Sequence, residues 1–595
     1  MGTSDMQNSV GWTMALAMML GGFGMALGQP TAANPSGGSD ARTDGRPVVR
    51  IVYFVPTDRK PEPDYQARID RMMTHVQAFY RNGMNQNGYG QRTFELDRDA
   101  KGALRIHSVQ AKGPMRNYGR NDASKVRAEV KDALAKQGVN IDQETIVIFQ
   151  LLLEWNGKKA TEIGPFVGGG GPRSGTAWVY DDVRLDPRFL SSKQPGGYYQ
   201  GYCTLGKFNT EYIGGLAHEL GHALGLPHDR QQDRDGARFG ASLMGSGNHA
   251  YGENLRGEGK GAFLSPASAL PLSRHPLFTG KPMPAKPITG RITDLVAIWD
   301  GLQYVLSGKI EGGAPSVGLV AFNDPILPKG DYDAVGWIGT VNADGTFRVA
   351  VGELKPNDYE LRLEFFSESG DSKAFAFRYS IAKSGKPDLR PFEDTIAFQR
   401  ANAAFLARDA KQLSEMVTGL KQKYPANDPV IQKAEHLQRL LKPSAPVPLD
   451  RIPNTAKQTA VADLQFESAR VGYGNAARNQ VIRAGDSPIT LEVGGKFFDS
   501  GLFAHAPAQH QLRLNGTWTR FTTQYGLQDG HDGSVVFVIK GDGRELFRSM
   551  AVRDHVVREI SVDLSNVKRL ELIVEDAGDG AGSDWGVWLN PQLQR

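Results

Sequence analysis

The run VVRIVYFV, Val48 to Val55, is apolar at every position except Arg50, the pattern of a strand buried on both faces. Helical spacing follows through DYQARIDRMMTHVQAFYRN, residues 64 to 82, and returns in DASKVRAEVKDALAKQG, residues 122 to 138, where Asp122 or Ser124 would start the helix. RTFELD, ETIVIFQLLL and GTAWVYDD read as further strands. Strands alternating with helices predict a layered α/β domain over residues 48–284.

Beyond Pro284 the period shortens to two. YVLSGKI, VGLVAF, GWIGTV, TFRVAV, YELRLEFF and KAFAFRYSI predict an antiparallel β-sandwich over residues 285–384. FEDTIAFQRANAAFLARDAKQLSEMVTGLKQKY and PVIQKAEHLQRLLK, split by PAND, predict a two-helix hairpin spacer over 385–445. A Pro-rich linker, 446–459, leads to alternating strands over 460–595 that predict a second β-sandwich.

Length and composition fit this multidomain reading. A chain of 595 residues exceeds one ordinary core, and 70 glycines suit many turns. The net charge of +4 comes without a basic stripe, so no nucleic-acid partner is expected. Cys203 is the single cysteine, which excludes an intramolecular disulfide; its context reads as a small, partly buried residue rather than a catalytic thiol.

VGWTMALAMMLGGFGMALG, residues 10 to 28, reads as a secretory signal ending in the small-x-small site Ala26-Leu27-Gly28, with an uncleaved anchor as the alternative. Residues 29–47 have linker composition. No integral membrane domain is expected beyond that segment, and the mature chain is expected to be secreted, periplasmic or at the cell surface.

The chemistry concentrates in HELGHALGLPHD, residues 218 to 229. His218 and His222, four apart on a helix, project from one face and can meet one ion. Gly225 can take the left-handed conformation that ends a helix, which lets His228 swing back as a third ligand. Three neutral imidazoles and an open position suit Zn²⁺. Glu219 is then placed to take a proton from water and return it to a leaving amine.

HExxHxxGxxHD over His218–Asp229 resembles the metzincin clan of zinc endopeptidases. The resemblance implies a metzincin-like α/β catalytic domain and one catalytic zinc ion. It also implies a methionine turn beneath the metal, with Met244 in SLMGSGN, and a supporting role for Asp229 as in the adamalysin branch. The tyrosine that some metzincins carry two positions after the methionine is replaced by Ser246. GTAWVYDD would be the edge strand that holds an extended substrate, or an ordinary core strand; GGGGP, 168–172, would be a rim of the cleft. His249, near the methionine turn, reads as a surface histidine or as an aid to oxyanion binding.

Residues 460–595 resemble a second family, the carbohydrate-binding module abbreviated NPCBM, through VGYG, ITLEVGGKFFDSGLFAHAP, RFTTQYGLQDG, GSVVFVIKGDGRELFRS and LELIVEDAGDGAGSDWGVW. This implies a galactose-binding-like β-sandwich and a glycan partner. Trp585, Trp588, Asp584 and His505 are its candidate sugar contacts, since an aromatic face suits a pyranose and flanking polar groups suit its hydroxyls.

The whole reads as an exported zinc metalloendopeptidase acting on protein or peptide substrates, directed to glycans or glycoproteins by its C-terminal module. Hydrolysis of a peptide cross-link in cell-wall material is the nearest alternative. A glycan-binding or adhesive protein with an inactive protease-like domain is the non-enzymatic one.

Overall fold

The computed structural model describes residues 46–155, 160–162, 164–281, 290–326, 331–385, 387–388, 390–481 and 489–595. The signal or anchor segment and all but the last two residues of the first linker lie outside them. The chain forms two compact units, divided between Glu393 and Asp394.

The first unit opens with a mixed sheet: β1 (Val48–Val55), β2 (Glu95–Leu96), β3 (Ile106–Gln110), β4 (Thr145–Gln150), β5 (Val167–Gly170) and β6 (Gly175–Tyr180). β1 pairs in parallel with β2, β3 and β4, and β4 with β6; β5 alone is antiparallel and closes the edge beside β6. Central strands read as continuous apolar runs because helices cover both faces. Helix α1 (Tyr65–Gln86) buries Ile69, Met72, Met73, Val76, Tyr80 and Met84, the stripe its spacing predicts. Helix α2 spans Ala123–Ala135 and helix α3 Leu205–Ala223. The Tyr80 hydroxyl donates to the Ala217 carbonyl at 2.8 Å and ties α1 to α3.

Of the two readings open for GTAWVYDD, the ordinary core strand is the one observed and the edge strand is not: β6 is buried at all six positions between β4 and β5. The edge belongs to the glycine-rich β5, whose lack of side chains hid it from the hydrophobic pattern.

Residues 291–388 form an antiparallel path of eight strands. The second strand of that path carries Tyr304 and the seventh Tyr379, yet their rings lie 5.1 Å apart. Phe347 and Phe365, three strands apart, meet at 5.0 Å. Such contacts require the sheet to fold over onto itself in two layers.

Three helices follow instead of two: Arg390–Leu406, Ala410–Lys423 and Pro429–Leu441. Arg408 sits at φ +54°, and the Asp409 side chain accepts the Gln412 N–H at 2.9 Å, which starts a new helix where a continuous one was expected. In the second unit, two five-stranded antiparallel sheets enclose Trp518, Phe521, Phe537, Leu572 and Trp588. Among the described residues no helix is long and apolar enough to cross a membrane.

Candidate metal centre

Helix α3 begins where the Thr204 side chain accepts the Lys207 N–H at 3.1 Å. It ends in a tight reversal. Gly225 has φ +86°, its N–H reaches His222 O at 2.9 Å, and the Leu226 N–H reaches Gly221 O at 2.9 Å. A side chain at that φ would be strained. The turn also brings the Leu226 carbonyl back to the helix, where His222 Nδ1 donates to it at 2.8 Å.

His218 Nδ1 donates to the Leu243 carbonyl at 2.7 Å. A carbonyl oxygen can only accept, so both Nδ1 atoms carry the proton and both Nε2 atoms keep a lone pair. His222 Nε2 nevertheless lies 3.1 Å from His218 Nε2 and 3.1 Å from His228 Nε2. Facing lone pairs repel each other unless a cation stands between them. Two nitrogens bound to a tetrahedral zinc ion stand about 3.3 Å apart, so this donor set fits that ion. Burial, with the neighbouring imidazoles, holds His218 well below its ordinary pKa and so in the neutral form that a metal would need. These three histidines are the one cluster with metal-ligand geometry among the described residues. Cys203, half-buried and with its thiol pKa raised by burial, is not part of it.

Glu219 lies on the next position of the helix, and its carboxylate accepts the Gly168 N–H from β5. Loss of solvent pushes its pKa up to about 8 against that bond. β5 comes this close because it is glycine: a Cβ at Gly168 would stand 1.9 Å from the Glu219 carbonyl oxygen.

Met244 is fully buried beneath the helix, and a Cβ on Gly221 would meet its Sδ at 2.4 Å. The Met244 carbonyl accepts the Asp229 N–H at 3.1 Å. One segment therefore orients His218 through Leu243, packs the helix through Met244 and holds the chain just after His228. Asp229 is buried; its Oδ2 accepts from Ser265 Oγ and its Oδ1 from the Gly336 N–H at 2.9 Å. Burial raises its pKa to about 6, and those two bonds oppose the rise.

Two neighbours extend the site. His249 Nδ1 meets Glu211 Oε2, itself buried on α3, at 2.5 Å, so His249 is anchored although its side chain is half exposed. Tyr332, on a short 3-10 turn (Asp331–Asp333) that leads into a strand of the eight-stranded sheet, stacks on His228 with ring centroids 3.7 Å apart. Sequence reasoning missed Tyr332 because nothing in GDYDAVGW signals an approach to a histidine so distant in the chain.

The sugar candidates fall apart by burial. Trp588 has none of its surface exposed and packs edge-on against Phe537 at 4.9 Å, so it is a core residue and not a sugar contact. Trp585, Asp584 and His505 do cluster but are also buried. His531 stacks on Trp585 at 3.9 Å and 6°, and the exposed Tyr473 lies beside Trp585 and His505. Asp584 Oδ1 accepts the Ser534 N–H at 2.8 Å, while Oδ2 finds no partner among the described residues; burial raises this carboxyl to about 6. Tyr473 and His531, absent from the expected set, are the members of this cluster that reach furthest toward solvent.

The C-terminal part of the chain carries a recognised domain: residues 457–594 match the family described as the NPCBM/NEW2 domain. Among solved structures, wild-type OgpA from Akkermansia muciniphila is 27% identical over 56% of this chain and 93% of its own, with a TM-score of 0.49. Catalytically inactive OgpA, in complex with an O-glycopeptide substrate, is 26% identical over 56% and 93%, with a TM-score of 0.48. CBM51 from Clostridium perfringens GH95, in complex with methyl-galactose, is 24% identical over 23% of this chain and 99% of its own, with a TM-score of 0.21. No curated protein matches the chain.

Proposed function

We propose that this chain is an exported, metzincin-like zinc metalloendopeptidase whose C-terminal domain brings it to glycans or glycoproteins. The observation that carries the reading is the convergence of three imidazole Nε2 atoms, two of them fixed as lone-pair donors by Nδ1 bonds to carbonyls, beside a carboxylate on the same helix.

His218, His222 and His228 would hold the zinc ion. When bound, zinc would supply Lewis acidity, polarising the scissile carbonyl and making a water molecule acidic near neutral pH. The chain's own residues do the rest. Glu219 accepts the proton of the attacking water and returns it to the departing amine; Gly168 keeps its carboxylate aimed from the edge strand. Met244 and Leu243 keep the helix and His218 from rotating. β5, with its free edge, would hold an extended peptide by backbone hydrogen bonds.

The C-terminal domain would act by tethering, raising the local concentration of glycosylated substrate without altering the chemistry. Its candidate sugar surface is Tyr473 and His531 over Trp585, with Asp584 and His505 behind.

The test compares the mature chain with its Glu219→Ala variant for zinc content and for cleavage of glycosylated and unglycosylated polypeptides. Near-equimolar zinc in both is expected, with hydrolysis reduced in the variant by at least about 10²-fold. A parent chain without bound zinc would instead favour the glycan-binding protein with an inactive domain.

A further inference from the structure

Two of the three histidines sit on α3 and are locked by carbonyls of the same domain. The third, His228, lies beyond the helix and meets a different part of the unit. Tyr332 stacks on its imidazole with centroids 3.7 Å apart and planes 28° apart, and the same ring is nearly parallel to His218, at 9° and 6.4 Å. Just past the tyrosine the eight-stranded sheet grips the residues that follow His228. Arg230 N–H donates to Ala334 O at 2.7 Å, and Arg230 forms a parallel bridge with Val335. Gly336 N–H donates to Asp229 Oδ1 at 2.9 Å, and Gly336 O accepts from Gln232 Nε2 at 2.8 Å.

The grip depends on close approach. A Cβ at Gly336 would stand 2.9 Å from Asp229 Oδ1 and 2.2 Å from Ala267 Cβ, so only the bare backbone fits against the buried carboxylate. Asp229 is thereby held on both oxygens, by Ser265 and by Gly336. The sheet fixes the backbone after His228 while Tyr332 covers one face of its ring. His228 is 4% exposed, whereas Tyr332 is 52% exposed, so the tyrosine is a cover whose own outer face meets solvent.

We infer that the eight-stranded sheet is a constituent of the metal centre, and that Tyr332 is a positioning residue that holds the His228 imidazole in its ligating pose. The inference rests on the zinc reading above. A stacked ring opposes rotation of the imidazole about its Cβ–Cγ bond and keeps water from that face, which preserves ligand geometry in the way groups behind metal-bound histidines do. The ring performs this role, so phenylalanine should replace tyrosine and alanine should not.

The whole protein and its Tyr332→Ala and Tyr332→Phe variants would be titrated with zinc against a chromogenic chelator, with thermal unfolding of the metal-free chains as a control. The exposed position of Tyr332 leaves room for truncation without loss of fold. Zinc binding about 10-fold weaker in Y332A, with Y332F within about 2-fold of the parent, is the expected result. Parental affinity in Y332A would overturn the inference, and so would equal losses in both variants, which would assign the effect to the hydroxyl. Gly336→Ala is the second probe, expected to weaken zinc binding by displacing Asp229 while leaving the Tyr332 ring in place. A parent that binds no zinc would overturn the zinc reading itself, an outcome separate from any difference among variants.

Discussion

At the scale of single residues, His218 and His222 announce themselves through a spacing of four, which a helix converts directly into proximity. His228 is legible for a different reason: Gly225 supplies the turn that returns it. Tyr332 and Gly168 are not legible, because each reaches the centre through packing between separate segments, and a tyrosine or a glycine alone carries no mark of its future neighbour. His510 shows the same limit in the second unit. It is 1% exposed, neither ring nitrogen has a partner among the described residues, and burial with help from Arg478 lowers its pKa from 6.5 to about 4. The folded state therefore refuses a proton that the unfolded chain takes up. Its contribution to stability is complete above about pH 6.5 and is lost as pH falls toward 4, a difference of about 3 kcal/mol. His510→Phe, similar in shape, should lose less stability than the parent over that interval in urea unfolding. Asp584 works in the opposite sense, favouring the fold at lower pH, but it is common to both chains. Identical pH slopes would mean that His510 is not held neutral.

At the scale of elements, the long apolar runs and the helical stripes were readable because burial on both faces or on one face leaves its period in the sequence. β1, α1 and α2 follow that rule. β5 breaks it, since a strand of glycines has no apolar signature, and its role is to let the sheet edge lie against the backbone of α3. Gly168→Ala would drive a methyl to within 1.9 Å of the Glu219 carbonyl oxygen. Such overpacking should cost about 1–3 kcal/mol and misplace Glu219. The expected pattern is a lowered unfolding midpoint together with hydrolysis reduced more than zinc content. Unchanged stability would show that the edge strand does not rest on the helix. The break between the first two helices after the sheet was hidden for a related reason. Arg408 adopts a left-handed conformation without being glycine, so no residue type flagged the end of the helix.

At the scale of the whole molecule, the change of period along the sequence marks α/β, β, helical and β stretches, and no candidate site residue was placed in the first β stretch. The structure puts that sheet against the residues following His228. A chain ending at Glu393 should therefore bind zinc as the full chain does, whereas one ending at Lys281 should bind it more weakly even where its helical circular dichroism persists. Equal affinity of the two truncated chains in the chelator titration would separate the sheet from the centre.

The bond from Gly336 to Asp229 joins residues 107 positions apart. A chain made from its N-terminus therefore presents its helix histidines well before the strand that fastens the residues after His228 has emerged. The order of synthesis places the finished cluster late, so a nascent chain holds two of its histidines on a formed helix before the sheet that fastens the third has folded.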